Sequence, residues 1–208
     1  MGRHAKDCKG LHMRDYTALH TAGEPDWGKV AAAELQPCRW SPNPPPPALA
    51  RAVWTEAALL VRLESFAAPT RAVNTEPDSA VWEDSCLEFF FSADGKTYIN
   101  LEANARGALR ASIGPDRHER RLLRALDVPL PRVQTEVSAS GWRLTLEIPA
   151  ALFEKLLGVS LHPGLCLRAN FYACGDLTPA PHYAAWSEVQ TETPDFHRPE
   201  FFGTLRLL

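Results

Sequence analysis

Proline constrains this chain more than any other residue type: 18 of its 208 residues are proline, against 12 glycines. Each proline fixes its own φ, lacks an amide donor and pushes the preceding residue away from helical geometry. Spread along the sequence, they cut it into short pieces, which disfavours a helical bundle and favours strands joined by turns. The densest run, Ser41-Pro42-Asn43-Pro44-Pro45-Pro46-Pro47, prefers an extended polyproline geometry and cannot enter a sheet interior. It is expected as a surface loop. The segment before it is too short and too polar for a core of its own. We therefore expect a single domain over residues 23–208, after a partly ordered leader at residues 1–22.

Between the breakers, strand signals recur. Ala52–Thr55 and Leu59–Glu64 read as a hairpin across Glu56-Ala57, and Cys86-Leu87-Glu88-Phe89-Phe90-Phe91 is aromatic enough for a core strand. Asp94-Gly95 marks a hairpin turn into Tyr98–Asn104, and Asn104-Ala105-Arg106-Gly107 a second turn into Ala108–Ile113. In Trp142-Arg143-Leu144-Thr145-Leu146-Glu147-Ile148 the apolar residues alternate strictly with polar ones, as a half-buried strand requires. Pro149 ends that strand, Ala150–Leu157 reads as a short helix, and Leu165–Ala173 and Gly203–Leu208 are further strands. Arg117–Leu126 reads as a short helix or a long loop with a solvated basic face. The expected fold class is all-β: an antiparallel, jelly-roll-like β-sandwich with one or two short helices.

Several functions are disfavoured. A net charge of −3 provides no electrostatic footprint for nucleic acid or an anionic membrane, and no apolar run reaches the roughly 20 residues of a membrane helix. Five cysteines (8, 38, 86, 166 and 174) form no C-x-x-C pair, so neither a zinc knuckle nor a disulfide framework is indicated. With no apolar stretch near the N-terminus, the thiols point to the cytoplasm; a chain whose secretory leader had been cleaved would read the same. No nucleophile elbow, phosphate loop or H-E-x-x-H occurs. Glu83, Asp84, Glu88 and Glu102 are numerous enough for acid–base chemistry but read as surface or hydrogen-bonding carboxylates. His182 and His197, on either side of Trp186, read as loop packing. The chain is expected not to be an enzyme.

Six tryptophans are the remaining resource. Trp142 and Trp54 fall in core strands. Trp82 instead follows a turn-rich stretch and opens the acidic run Glu83-Asp84, while Trp186 precedes a loop rich in proline and histidine. A flat indole beside carboxylates and amides suits a sugar, whose C–H face packs on the ring while its hydroxyls need donors and acceptors. Glu88, Asn100, Glu102, Asn104 and Asn170 are candidate polar partners.

Trp82-Glu83-Asp84-Ser85-Cys86-Leu87-Glu88-Phe89-Phe90 resembles the W-x-x-D-S-x-E-x-F signature of family 9 carbohydrate-binding modules, within the DOMON-like group. The likeness continues through Tyr98–Gly107, Trp142–Pro149, Asn170–Asp176, His182–Trp186 and Pro194–Gly203, and is closest to a single-domain bacterial branch. The resemblance implies a β-sandwich that grips a terminal mono- or oligosaccharide unit between two tryptophans. By motif position these are Trp82 and Trp186, with Glu88 as acidic partner and Asn104 before the turn. Glu102 stands where the family often has arginine, an acceptor in place of a donor. Family members can also hold structural calcium, for which Asp84 is the candidate ligand. Two alternatives come with the same group: a haem-binding or redox domain, whose axial methionine would have to be Met1 or Met13, and an accessory domain of a glycoside hydrolase system.

Overall fold

A computed structural model describes residues 13–208, and among them fourteen strands and one α-helix. Two sheets face each other. The back sheet runs β10 (Arg132–Ser138), β11 (Gly141–Pro149), β5 (Ala58–Ser65), β4 (Ala48–Trp54), with the short β2 (Ala33–Glu34) against β4. The front sheet runs β14 (Gly203–Leu207), β12 (Cys166–Cys174), β6 (Cys86–Ser92), β7 (Tyr98–Asn104), β8 (Leu109–Gly114), β9 (Arg121–Leu122). Off the end of β12, β13 (Tyr183–Ala185) pairs with β3 (Gln36–Pro37). The expected sandwich is what forms. The hairpin across Glu56-Ala57, the β11 alternation and the helix α1 (Ala150–Leu157) appear where the sequence puts them, and Gly158 ends α1 in the left-handed conformation at φ 67°.

The sheets are joined by a strand the sequence analysis did not foresee. β1 (Asp15–His20) lies inside the stretch expected as a leader, yet its first four residues pair in parallel with β14 and its last two in parallel with β4. All other strand pairs are antiparallel. Tyr16 and Ala18 point inward, and the Tyr16 hydroxyl accepts from the amide of Ala52 while donating to the carbonyl of Ala31. The domain therefore starts before residue 23, and residues 1–12 lie outside the described part. Arg117–Leu126 is neither a helix nor an open loop: it forms β9 and a 3₁₀ turn that buries Leu123.

Strand parity decides what each face of the front sheet carries. Leu87, Phe89 and Phe91 of β6, Ile99, Leu101 and Ala103 of β7, and Leu167, Ala169, Phe171 and Ala173 of β12 point to the back sheet and form the main core. Their even-numbered neighbours point to the other face. There, Cys86, Phe90, Tyr98, Tyr172 and Cys174 join a second apolar cluster under the loops. The strands are thus buried on both sides, and the polar residues among the even positions are enclosed with them.

Trp186 sits in the main core, 3% exposed, edge-on to Tyr16 and tilted against Phe171. Gly203 makes room for it: a Cβ there would stand 2.5 Å from the Trp186 ring and 2.6 Å from the carbonyl of Arg14. We predict that Gly203→Ala destabilises the fold by about 1–3 kcal/mol, the usual cost of overpacking, measured by urea denaturation. An unchanged midpoint would contradict this packing.

Candidate functional site

On the outer face of the front sheet, side chains fall into cross-strand rows. In one row Tyr172 of β12 stands opposite Glu88 of β6, Glu88 opposite Glu102 of β7, and Glu102 opposite Arg110 of β8. In the next, Asn170, Phe90, Asn100 and Ser112 align in the same order. Glu88, Asn100, Glu102 and Arg110 form the floor of a cavity of about 180 Å³. A single water needs about 10–15 Å³ by this kind of measure, so the space suits a ligand of monosaccharide size.

Three loops build the walls. Trp82 stands on the 3₁₀ turn Val81–Glu83, whose carbonyls at Trp82 and Glu83 accept from the amides of Asp176 and Leu177. Trp40 follows β3 on a turn closed by Ser41 N–H to Cys38 carbonyl. That turn is tied down by the Tyr183 amide, which donates to the Ser41 hydroxyl, and by Asn43, whose amide group donates to the Pro181 carbonyl. The polyproline run continues from there as the expected loop. Pro194, Asp195, Phe196 and His197 close the third side. Trp40 and Trp82 are both half-buried and both line the cavity. Trp40 is edge-on to Tyr183 and tilted against Phe196, while the Arg110 guanidinium lies over the Trp82 ring, 5.1 Å from its centroid.

The polar lining is dense in charge. Four carboxyl groups (Glu88, Glu102, Asp176, Asp195) and three guanidiniums (Arg110, Arg117, Arg120) contribute to it. Arg120 is fixed by Ser112, by the Tyr98 carbonyl and by Asn100, and lies over the Tyr98 ring. Asn100 donates in turn to Glu102 at 2.5 Å. Burial, and then the charge of Glu102, push the Glu88 carboxyl well above the ordinary range. Burial also raises Glu102, held back by its bond from Asn100 and by the field of Arg110. Two facing buried carboxyls favour sharing a proton over carrying two charges. Burial raises Asp176 too, against the hydrogen bond from Tyr183. His197 is driven down to about 3 by burial and the nearby arginines, and its Nδ1 is hydrogen-bonded to the Tyr98 hydroxyl at 2.8 Å.

Residues 25–207 match carbohydrate-binding family 9. The chain belongs to that family. Among solved structures it is similar to a candidate carbohydrate-binding protein of Bacteroides uniformis ATCC 8492, at 27% identity and a TM-score of 0.81, over 94% of this chain and 100% of that one. A family 9 module of Caldicellulosiruptor kristjanssonii shares the fold in two complexes. With cellotriose the identity is 14% and the TM-score 0.66, covering 93% of each chain. With glucose they are 15% and 0.66, covering 94% of this chain and 96% of that one. No curated protein matches.

Family membership does not place every motif residue in the site. Trp82, Glu88 and Glu102 line the cavity, together with Asn100. Trp186 does not: it is a core residue on the other face of the front sheet, because β13 leads directly into it and its amide bonds to the Phe171 carbonyl. Asn104 does not either. Its amide group donates to the Asn74 carbonyl and to Asp84, and its oxygen accepts from the amides of Arg106 and Ala108. All four of its hydrogen-bonding positions are spent on the turn. Asn170 is likewise committed, to both backbone groups of Ser187. Asp84 lies outside the cavity lining; its Oδ2 accepts from the amides of Val73 and Asn74 and from Asn104, and its Oδ1 is paired with the Arg71 guanidinium at 3.2 Å. Those bonds outweigh the effect of burial and hold Asp84 below its usual range. Trp40, which lies outside the motifs, also lines the cavity; its position between Pro37 and the polyproline run, away from any alternating strand, is a sequence signal that could have found it.

A buried acid with a raised pKa weakens the fold as pH rises through and above its unfolded value, because the native state binds the extra proton. The stability of Glu88→Gln relative to wild type should therefore rise as pH goes from the ordinary glutamate range toward pH 8, where the variant melts higher. Thermal melts of both proteins across this range check it; parallel curves would contradict a raised pKa at Glu88.

Proposed function

We propose that this pocket binds the terminal sugar of a saccharide without chemical change, with Trp40 and Trp82 as its aromatic walls and the row Glu88–Glu102–Arg110 as its polar floor. The observation that carries this reading is the convergence of two half-buried indoles, from loops about forty residues apart in sequence, on one cavity floored by carboxyl and guanidinium groups. Indole faces favour the C–H side of a pyranose. Carboxylates and guanidiniums, which present fixed acceptors and donors, favour its hydroxyls. A neutral polyhydroxyl ring satisfies both signs of charge in the lining, which a purely anionic or cationic ligand would not. Family membership supports saccharides as the ligand class, and the glucose and cellotriose held by the structural neighbours make glucose-terminated saccharides the first to try.

The two-tryptophan grip expected from the motifs is kept, with Trp40 in place of Trp186. Calorimetry with glucose and cellotriose tests this directly. Trp40→Ala and Trp82→Ala should each weaken binding by about 1–3 kcal/mol, roughly 5- to 150-fold, from lost stacking area. Trp186→Phe should lower stability and leave affinity unchanged. Affinity lost in a folded Trp186→Phe variant but retained in Trp40→Ala would overturn the assignment.

A further inference from the structure

Glu88, already part of the pocket floor, is also joined to two cysteines that saccharide binding does not call for. Cys86 of β6 and Cys174 of β12 are direct cross-strand partners, and Glu88, two residues further along β6, leaves the sheet on the same side. The two Sγ atoms and a carboxylate oxygen lie within 4.8 Å of one another, and each of the three residues is 2% exposed. Cys174 donates to Glu88 Oε1 at 3.0 Å and Cys86 to the Leu87 carbonyl at 3.9 Å. Apolar packing accounts for two small side chains at positions 86 and 174. It does not account for a carboxyl group placed in contact with them in a buried cluster.

We propose that Cys86, Cys174 and Glu88 form a binding site for a thiophilic divalent cation of the zinc class. Two sulfurs and one carboxylate oxygen are a donor set suited to Zn²⁺, whereas calcium and magnesium require oxygen shells. Ideal Zn–S and Zn–O bonds of about 2.3 and 2.0–2.2 Å put tetrahedral donor atoms roughly 3.5–3.8 Å apart; the group lies within 4.8 Å, and the Cys174–Glu88 contact of 3.0 Å has to open by a side-chain adjustment. All three donors sit on hydrogen-bonded strands, which keeps them near one another before any ion arrives. Glu88 and Cys174 also line the saccharide pocket. The fourth tetrahedral position consequently opens toward the cavity, where a water or a ligand hydroxyl completes the shell, as in zinc sites with three protein ligands. The site goes beyond saccharide recognition and does not depend on it.

Cobalt(II) replaces zinc in such sites and reports thiolate ligation through a charge-transfer band, so the test is a Co²⁺ titration of the reduced, chelator-treated protein. The expected result is saturation at one equivalent with a thiolate-to-cobalt band and tetrahedral visible absorption, both abolished by Zn²⁺. Cys86→Ser and Cys174→Ser should each weaken binding at least tenfold, while Cys166→Ala leaves it unchanged. Because either serine variant can disturb the packing, Glu88→Gln provides an arm with both thiols intact and should also weaken Co²⁺ binding at least tenfold. Absence of the band in the wild type, or its survival at full affinity in Glu88→Gln or in both serine variants, overturns the proposal. Saccharide affinity measured on the same chelator-treated protein is a separate readout, so either reading can fail without the other.

Discussion

The two-residue period of three adjacent strands, β6, β7 and β12, is the constraint on which both the fold and the pocket rest. Odd-numbered residues of these strands make the core against the back sheet, and even-numbered residues make the pocket floor and the apolar cluster around it. A slip of one residue in any of these registers would exchange the two sets, placing Phe89 in the pocket and Glu88 in the core. The core therefore fixes the site. Burial of Leu87, Phe89 and Phe91 leaves Glu88 no other side to face, and the pairing of β6 with β7 then sets Glu102 directly opposite it.

That placement has an energetic consequence. Two carboxyl groups facing each other with little exposure weaken the folded state unless one stays protonated, and the lifted pKa of Glu88 expresses that conflict. Folding alone does not require acids at these positions, since an apolar pair would pack without the cost. The neighbouring network limits the damage: Asn100 serves Glu102, Arg120 holds Asn100, and Ser112 holds both. The loops that complete the pocket are similarly fixed in advance. The turn bearing Trp40 is pinned through Ser41 and Asn43 to the strand that carries Tyr183, and the turn bearing Trp82 through its carbonyls to the segment after β12. A pocket whose walls are held by such bonds to the backbone of neighbouring segments loses little conformational freedom when a ligand enters.

Much of the fold was legible in the sequence because its signals are local. The strict alternation of Trp142–Ile148, the aromatic run Phe89–Phe91, the hairpin turns at Gly95 and Gly107 and the helix between Pro149 and Gly158 all depend on neighbouring residues. β1 was not legible, since only Tyr16 and Ala18 of its six residues are buried and its partners lie at the far end of the chain and in β4. β10 exposes most of its residues at the edge of the back sheet and shows little apolar period. In the site, Glu88 followed from the motif and Glu102 from the place where the family often has arginine, while the strand parity that sets them side by side shows only in the fold. Trp186 and Asn104 were misplaced because motif position cannot tell a residue that faces a ligand from one that seals a turn or a core. Trp40 lay outside the motif, and only the tertiary pairing of β3 with β13 brings it to the pocket.

The central claim is that Trp40 and Trp82, and no other indoles, contact the ligand. The six indole N–H resonances of the ¹⁵N-labelled protein, assigned by single substitution and followed during addition of cellotriose, test it most directly. The account predicts that the Trp40 and Trp82 signals shift together along one saturation curve while those of Trp27, Trp54, Trp142 and Trp186 stay in place. A saturable shift of Trp186 with Trp40 unmoved, or no shift at any indole, would contradict it.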